Sequence, residues 1–240
     1  MSLFVNTKYR SHDAELMDDF SLQGEALRDT LNKLGTINKW LGGNKVTIDG
    51  VFELLKDQPK DKTHTILDLG CGHGDLLRRI AKVGKEKGFQ LQLIGIDANA
   101  DAIDYAKSLS GNFKNISYHI VDVFSEEFKN LNFDIALSTL FLHHLNDSQV
   151  ISMLNHLNKK AKIGVVINDL HRHQLAYFLF KFLGLFIKNE MIVEDGLTSI
   201  LRGFKKAEIK EFSSQLKLND QLKWCWAFRW QWILRNRNRN

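Results

Sequence analysis

The feature that most limits the folds open to this chain is a repeated beat that begins at Thr63. Short apolar runs alternate with helical patterns: THTILDLG, then a helix from about Asp75 to Lys87; LQLIGID, then a helix near Ala100 to Leu109. The beat continues through ISYHIVDV, FDIALST, a helix from about Ser148 to Asn158, and IGVVIND. Strand-length runs between helices of this size make βαβ units, and right-handed crossovers spread the helices over both faces of a mostly parallel sheet. Ligands of such sheets sit at the carboxyl ends of the strands. Near the C-terminus, KWCWAFRWQWIL alternates and is rich in aromatics, as expected of a closing strand, and KAEIKEFSSQL before it completes a last crossover. The stretch DGLTSILRGF, from Asp195 to Phe204, is expected to join the helix after the central strand to that crossover and to line a pocket, with Ser199 and Arg202 as candidates there.

Ahead of the beat, the segment from about 12 to 41 reads as helical. Leu27, Leu31 and Leu34 recur at helical spacing, as do Leu16, Met17 and Phe20 before them, and Ile37, Trp40 and Leu41 extend the pattern. Gly42 and Gly43 punctuate the chain, and a second short helix is expected from Ile48 to Lys56, before the sole proline, Pro59. Residues 1–58 therefore read as an N-terminal helical cap, 59–234 as the α/β domain and 235–240 as a disordered basic tail. That tail, RNRNRN, carries three of the charges behind the net +5, so the domain itself is close to neutral and no nucleic-acid partner is expected. Two cysteines, Cys71 and Cys225, are too few for a disulfide framework, and MSLFVNTKYR lacks the apolar core of a signal peptide, which makes the cytoplasm the expected location. The longest apolar run, Leu175 to Ile187, is interrupted by Lys181 and falls short of the ~20 residues a membrane-spanning helix needs. No membrane span is expected; peripheral contact through that run stays open.

The strongest chemical signal is ILDLGCGHGDLL, Ile66 to Leu77. A strand ends at Asp68 and passes through glycines at 70, 72 and 74 into a helix. Glycine admits positive φ and lets a ligand approach backbone, and the helix start offers free N–H groups. The ladder reads D-x-G-x-G-x-G. A dinucleotide fingerprint, G-x-G-x-x-G, would place its third glycine where Asp75 stands. A pyrophosphate is also poorly served by Asp68 and Asp75, whereas a ligand with a cationic amino-acid end tolerates them. One βαβ unit later Asp97 closes LQLIGID, where a carboxylate can accept from both ribose hydroxyls. Asp122 follows the next strand.

With these elements in register, the chain resembles the class I S-adenosylmethionine-dependent methyltransferases over about Thr63 to Asp169. The resemblance implies a Rossmann-like fold: a mostly parallel seven-stranded sheet with helices on both faces, here with the N-terminal cap. It implies S-adenosyl-L-methionine as cofactor. Gly70, Cys71 and Gly72 would meet its methionine part by backbone, with Asp68 near its amino group. Asp97 would bind the ribose, Ala98 would flank the adenine, Asp122 and Val123 would meet the adenine edge, and Ser138 would lie beside the methionine end.

The acceptor side offers histidines. His143 and His144 follow the fourth strand as a pair, and adjacent helical positions point about 100° apart, so one metal is not expected to take both. His171 and His173 follow the fifth strand, but no further Cys, Asp or Glu stands at a zinc-like spacing, and no metal is expected. A histidine can take the proton of an acceptor hydroxyl, and the candidate catalytic residues, in order, are His171, His143 and His173. The expected function is methyl transfer to a small aromatic or lipophilic metabolite. The alternatives are a macromolecular (RNA or protein) methyltransferase or a non-catalytic binding protein of this fold. STLF stands where nucleic-acid amino-methyltransferases often carry [DNS]-P-P-[YFW], which weakens the first alternative; intact Asp68, Asp97 and Asp122 weaken the second.

Overall fold

The structure, a computed structural model, describes residues 5–19, 22–187 and 189–236. Its centre is a sheet of β1 (Thr63–Leu69), β2 (Gln90–Asp97), β3 (Ile116–Ile120), β4 (Ile135–Thr139), β5 (Gly164–Leu170), β6 (Asp220–Cys225) and β7 (Arg229–Arg235). The order is β3-β2-β1-β4-β5-β7-β6. The first five strands pair in parallel, and β7 runs antiparallel to β5 and β6. The chain order reverses between β1 and β4, and a crevice opens at the carboxyl ends of these two strands.

The helices are α1 (Gly24–Trp40), α2 (Gly43–Leu55), α3 (Asp75–Lys87), α4 (Ala100–Leu109), α5 (Glu126–Asn130), α6 (Asp147–Lys160), α7 (Gln174–Gly184), α8 (Glu190–Arg202) and α9 (Lys206–Gln215). Side chains alternate along β1. Ile66 packs with Val51, Leu54, Leu77, Ile80 and Ile103 of α2, α3 and α4. Leu67 and Leu69 pack on the other face with Phe128, Val150, Leu154, Ile209 and Phe212 of α5, α6 and α9. Strands buried on both faces explain why these runs are nearly continuous in apolar residues. Helix starts are set by local chemistry. The Asn99 side chain accepts from Ala102 N–H, and Asn146 forms a reciprocal capping box with Gln149.

The expected fold is the observed one, with four local differences. The segment expected to be helical from 12 is an extended strap along residues 5–19, with only a 3₁₀ turn at Leu16–Asp18. The Asp195 carboxylate takes the N–H groups of Leu16 and Met17, and Arg202 Nη1 donates to the Asp13 carbonyl, so tertiary hydrogen bonds displace helical ones. Second, α2 starts at Gly43, because Gly42 turns the chain at φ 72° and lets the helix begin early. Third, KWCWAFRWQWIL is a hairpin rather than one strand, reversing at Trp226–Phe228 with Phe228 at φ 51°. Its turn holds no Gly, Asn, Asp or Pro that could announce it. Fourth, DGLTSILRGF lies mostly within α8 rather than in a connection. Against the expected disorder from 235, Arg235 belongs to β7 and pairs with Glu53 at 2.6 Å, and Asn236 donates to the Ile163 and Asn158 carbonyls; residues 237–240, with Arg237 and Arg239, lie outside the described residues.

Candidate active site

At the end of β1 the chain must turn sharply into α3. Gly70 does so at φ 64°, where a Cβ would stand 2.8 Å from the Phe141 ring; Gly74, at φ 73°, precedes the first helical residue. The next strand locks the turn. Asp97 Oδ2 accepts from Gly72 N–H at 3.0 Å, and its Oδ1 accepts from Asn99 N–H at 2.9 Å. Cys71 N–H donates to the Ile96 carbonyl, tying the loop to β2 a second time.

Asp68 lies beneath the loop, 2% exposed. Burial pushes its carboxyl well above the ordinary range, and the neighbouring charges of Asp75 and Asp97 push the same way. Burial likewise raises Asp97, against its hydrogen bonds from Asn99 and Gly72. These acids share a cavity of about 650 Å³ at the crevice, together with Gly70, Cys71, Ala98, Asp122 and Val123. A buried acidic group of this kind, beside open backbone, suits a ligand with a cationic end.

The same cavity continues past Thr139 and Leu140 into a chamber walled by Leu179, Phe180, Leu183, Ile200 and Trp226. Its polar side is a network built from four distant parts of the chain. His143, 2% exposed, stands on a 3₁₀ turn after β4, and its Nδ1 lies 2.7 Å from Asp169 Oδ1 of β5. Burial would raise Asp169, but the His143 ring and the Leu170 N–H more than offset it and hold that carboxyl below its usual range. His144 Nδ1 lies 2.7 Å from Asp18 Oδ1. Glu15, on the strap, takes the Ser199 hydroxyl on Oε2 at 2.8 Å and turns Oε1 towards His143 Nε2 at 3.7 Å. Arg202 of α8 donates to the carbonyls of both histidines and to Asp18.

Residues 60–235 match a protein-family description reading "Methyltransferase domain". The chain belongs to this methyltransferase family. The class I resemblance read from its motifs is thereby borne out. Among curated relatives, it is 26% identical over 177 residues to a ubiquinone biosynthesis O-methyltransferase of Hydrogenovibrio crunogenus, covering 72% of this chain and 67% of that protein. It is 29% identical over 141 residues to a 2-phytyl-1,4-naphtoquinone methyltransferase of Nostoc, covering 57% and 59%. An ajmaline N-methyltransferase of Rauvolfia serpentina matches at 24% identity, and there the chain spans only 41% of the relative's length. Among solved structures, the plantazolicin methyltransferase BamL, in complex with a desmethyl plantazolicin analogue and SAH, superposes at TM-score 0.65 with 15% identity, over 88% of this chain and 91% of that one. Magnesium protoporphyrin IX methyltransferase from Synechocystis, with bound SAH, gives TM-score 0.54 and 17% identity over 81% and 84%. At these identities the structures establish the fold.

In this methyltransferase, Asp68, Gly70, Cys71, Asp97, Ala98, Asp122 and Val123 all line the cavity. Gly72 acts on it from behind, through its N–H to Asp97. Ser138, expected beside the methionine end, is fully buried within β4, and its neighbours Thr139 and Leu140 line the cavity instead. The three histidines separate. His171 borders the cavity, but its Nδ1 faces the Trp224 indole N–H at 3.2 Å. Burial, with the charges of His173, Lys205 and Arg172, pushes its pKa down to about 4. His173 caps α7, its Nδ1 accepting from Leu175 N–H, and its ring stacks on Phe228. His143 is the one that combines a place on the cavity with a buried carboxylate partner. Sequence reasoning passed over Glu15 and Asp18 altogether. They lie in a segment of ordinary acidic composition, far along the chain from the histidines they meet, and no local spacing announces them.

Proposed function

We propose that this chain transfers the methyl group of S-adenosylmethionine to a small aromatic or lipophilic metabolite held between the loop at Gly70–Gly74 and helices α7 and α8. The observation that carries the reading is the continuity of one cavity from an acidic, glycine-lined end to an apolar chamber. Asp68 beneath the loop, buried among other acids, suits the ammonium and sulfonium of that cofactor. Asp97 keeps lone pairs for the ribose beyond its two loop hydrogen bonds. Ala98, Asp122 and Val123 stand at the neighbouring strand end for the adenine. When bound, the cofactor supplies an activated methyl on sulfur, leaving the protein to orient the acceptor and exclude water.

His143, fixed through Nδ1 by Asp169, is the side chain we assign to the acceptor's reacting group, ahead of His171 and His173. Both of those are tied to aromatic or capping partners. Leu179, Phe180, Leu183 and Trp226 favour an apolar acceptor, and the outer face of α7 is also apolar, with Phe178 and Phe182 exposed and Phe186 exposed just beyond its end. Quinone and alkaloid chemistry in the names of the curated relatives is in keeping with such acceptors.

Calorimetry with S-adenosylmethionine, its demethylated product SAH and NAD tests the cofactor. The reading expects the first two to bind and NAD not to; failure of both adenosyl ligands would sink it. Methyl transfer to a panel of lipophilic phenols, amines and quinols then tests the acceptor, and turnover confined to a peptide or RNA would overturn the metabolite class.

A further inference from the structure

Glu15, His143 and His144 each bring one donor atom to within 4.8 Å of the others, the one such group of three among the described residues. Glu15 and His143 are buried, at 6% and 2% exposure, and His144 is partly so. Glu15 Oε1 is sealed from solvent without a hydrogen-bond partner; it faces His143 Nε2 at 3.7 Å and His144 Nδ1 at 3.9 Å. A buried carboxylate oxygen left in this state destabilises the fold unless something satisfies it. The two rings face the same way because they sit on a 3₁₀ turn, with centroids 4.2 Å apart and planes 34° apart. The divergence expected of an α-helical pair is absent.

Charge points in the same direction. Four carboxylates, Glu15, Asp18, Asp169 and Asp195, converge here, from the strap, β5 and α8. The facing cations are Arg202, with Nε 3.8 Å from Glu15 Oε1 and Nη1 2.8 Å from Asp18, the buried Arg229, whose charge acts on Asp169, and Arg10, which is paired with Asp147. A single divalent ion supplies the missing charge at one point.

We propose that Glu15, His143 and His144 bind one divalent first-row transition ion, with zinc-like affinity for two imidazoles and a carboxylate. Tetrahedral zinc with bonds of about 2.0–2.1 Å sets its donors about 3.4 Å apart; Glu15 Oε1 stands 3.7 Å from His143 Nε2 and 3.9 Å from His144 Nδ1, and all three donors lie within 4.8 Å of one another. Two imidazoles and one carboxylate with further positions open is a recurring metal-binding set. The surrounding shell is also in place. Asp169 holds His143 Nδ1 and leaves Nε2 as the lone pair facing Glu15, and Ser199 steadies the other Glu15 oxygen; His144 Nδ1, now bonded to Asp18, exchanges that partner for the ion. An ion here would take the His143 Nε2 lone pair, so His143 would act on the acceptor through the ion, which borders the cavity and would polarise an acceptor oxygen or nitrogen. That consequence rests on the proposed methyl transfer, whereas the binding does not.

The test is titration of the full, chelator-stripped chain with Co²⁺, followed by its visible absorption, and with Zn²⁺ by calorimetry, alongside SAH binding to the same sample. One ion per chain is expected. Glu15→Gln and His143→Ala should each weaken it on the order of 100-fold, and Asp169→Asn about 10–100-fold. Cys225→Ser should leave it unchanged. Circular dichroism checks folding, and the partly exposed His144→Ala gives a second ligand variant should His143→Ala unfold. Absence of stoichiometric binding overturns the proposal, as does affinity untouched by Glu15→Gln or lost in Cys225→Ser. Ion binding without SAH binding would instead overturn the methyltransferase reading and leave this one standing.

Discussion

At the scale of single residues, Asp97 does two jobs, holding the glycine loop through Gly72 and opening the next helix through Asn99. Asp97→Ala removes these charge-assisted bonds, each worth about 1.5–3 kcal/mol. We expect SAH affinity to fall by at least 10–150-fold, about the worth of the Gly72 bond that orders the loop, measured by calorimetry. Gly74→Ala acts differently. Its positive φ is unfavourable for alanine, and the new methyl would run into the Tyr118 hydroxyl, itself hydrogen-bonded to Ser110. A loss of about 1–3 kcal/mol is expected in urea denaturation; a smaller loss would mean that the loop yields easily. Both residues were legible in the sequence because their neighbours along the chain define their task. His143 was legible only as one of several histidines. What distinguishes it, the hydrogen bond to Asp169, joins two strand ends that adjoin only after the sheet forms.

Among elements, the parallel strands and α3, α4 and α6 could be read from periodicity because each carries a long amphipathic pattern with local caps. The strap could not. Its apolar residues suit a helix, and what prevents one is Asp195, on a helix near the other end of the chain. Asp195→Ala should therefore free the strap without unfolding the sheet. Hydrogen exchange at Leu16 and Met17 is expected to accelerate by at least tenfold, since two hydrogen bonds to a charged group are lost at about 1.5–3 kcal/mol each. Unchanged exchange at both amides would show that Ser199 and Arg202 hold the strap unaided. The hairpin of β6 and β7 escaped notice for the opposite reason. Alternation runs unbroken through its turn, so the sequence pattern carries no mark of the reversal.

For the whole molecule, pH offers a test of how the C-terminal hairpin closes over the site. His171 has a folded pKa of about 4, below the roughly 6.5 of an unfolded histidine, because the half-buried ring loses solvation and stands near the charges of His173, Lys205 and Arg172. The unfolded chain thus binds the extra proton between those values, and the His171 contribution to stability is fully present above about 6.5 and lost as pH falls towards 4. Urea denaturation across that window should show wild type losing stability relative to His171→Gln; a constant difference would contradict it. The strap described above carries one more implication, for the order of assembly. The loop at Gly72 is locked by a bond spanning 25 residues, whereas Glu15 reaches Ser199 across 184. Closing the longer span costs more entropy and comes later in folding. A nascent chain can therefore complete the crevice at its glycine loop while the apolar chamber still lacks a wall, and the chamber closes only once α8 has been made.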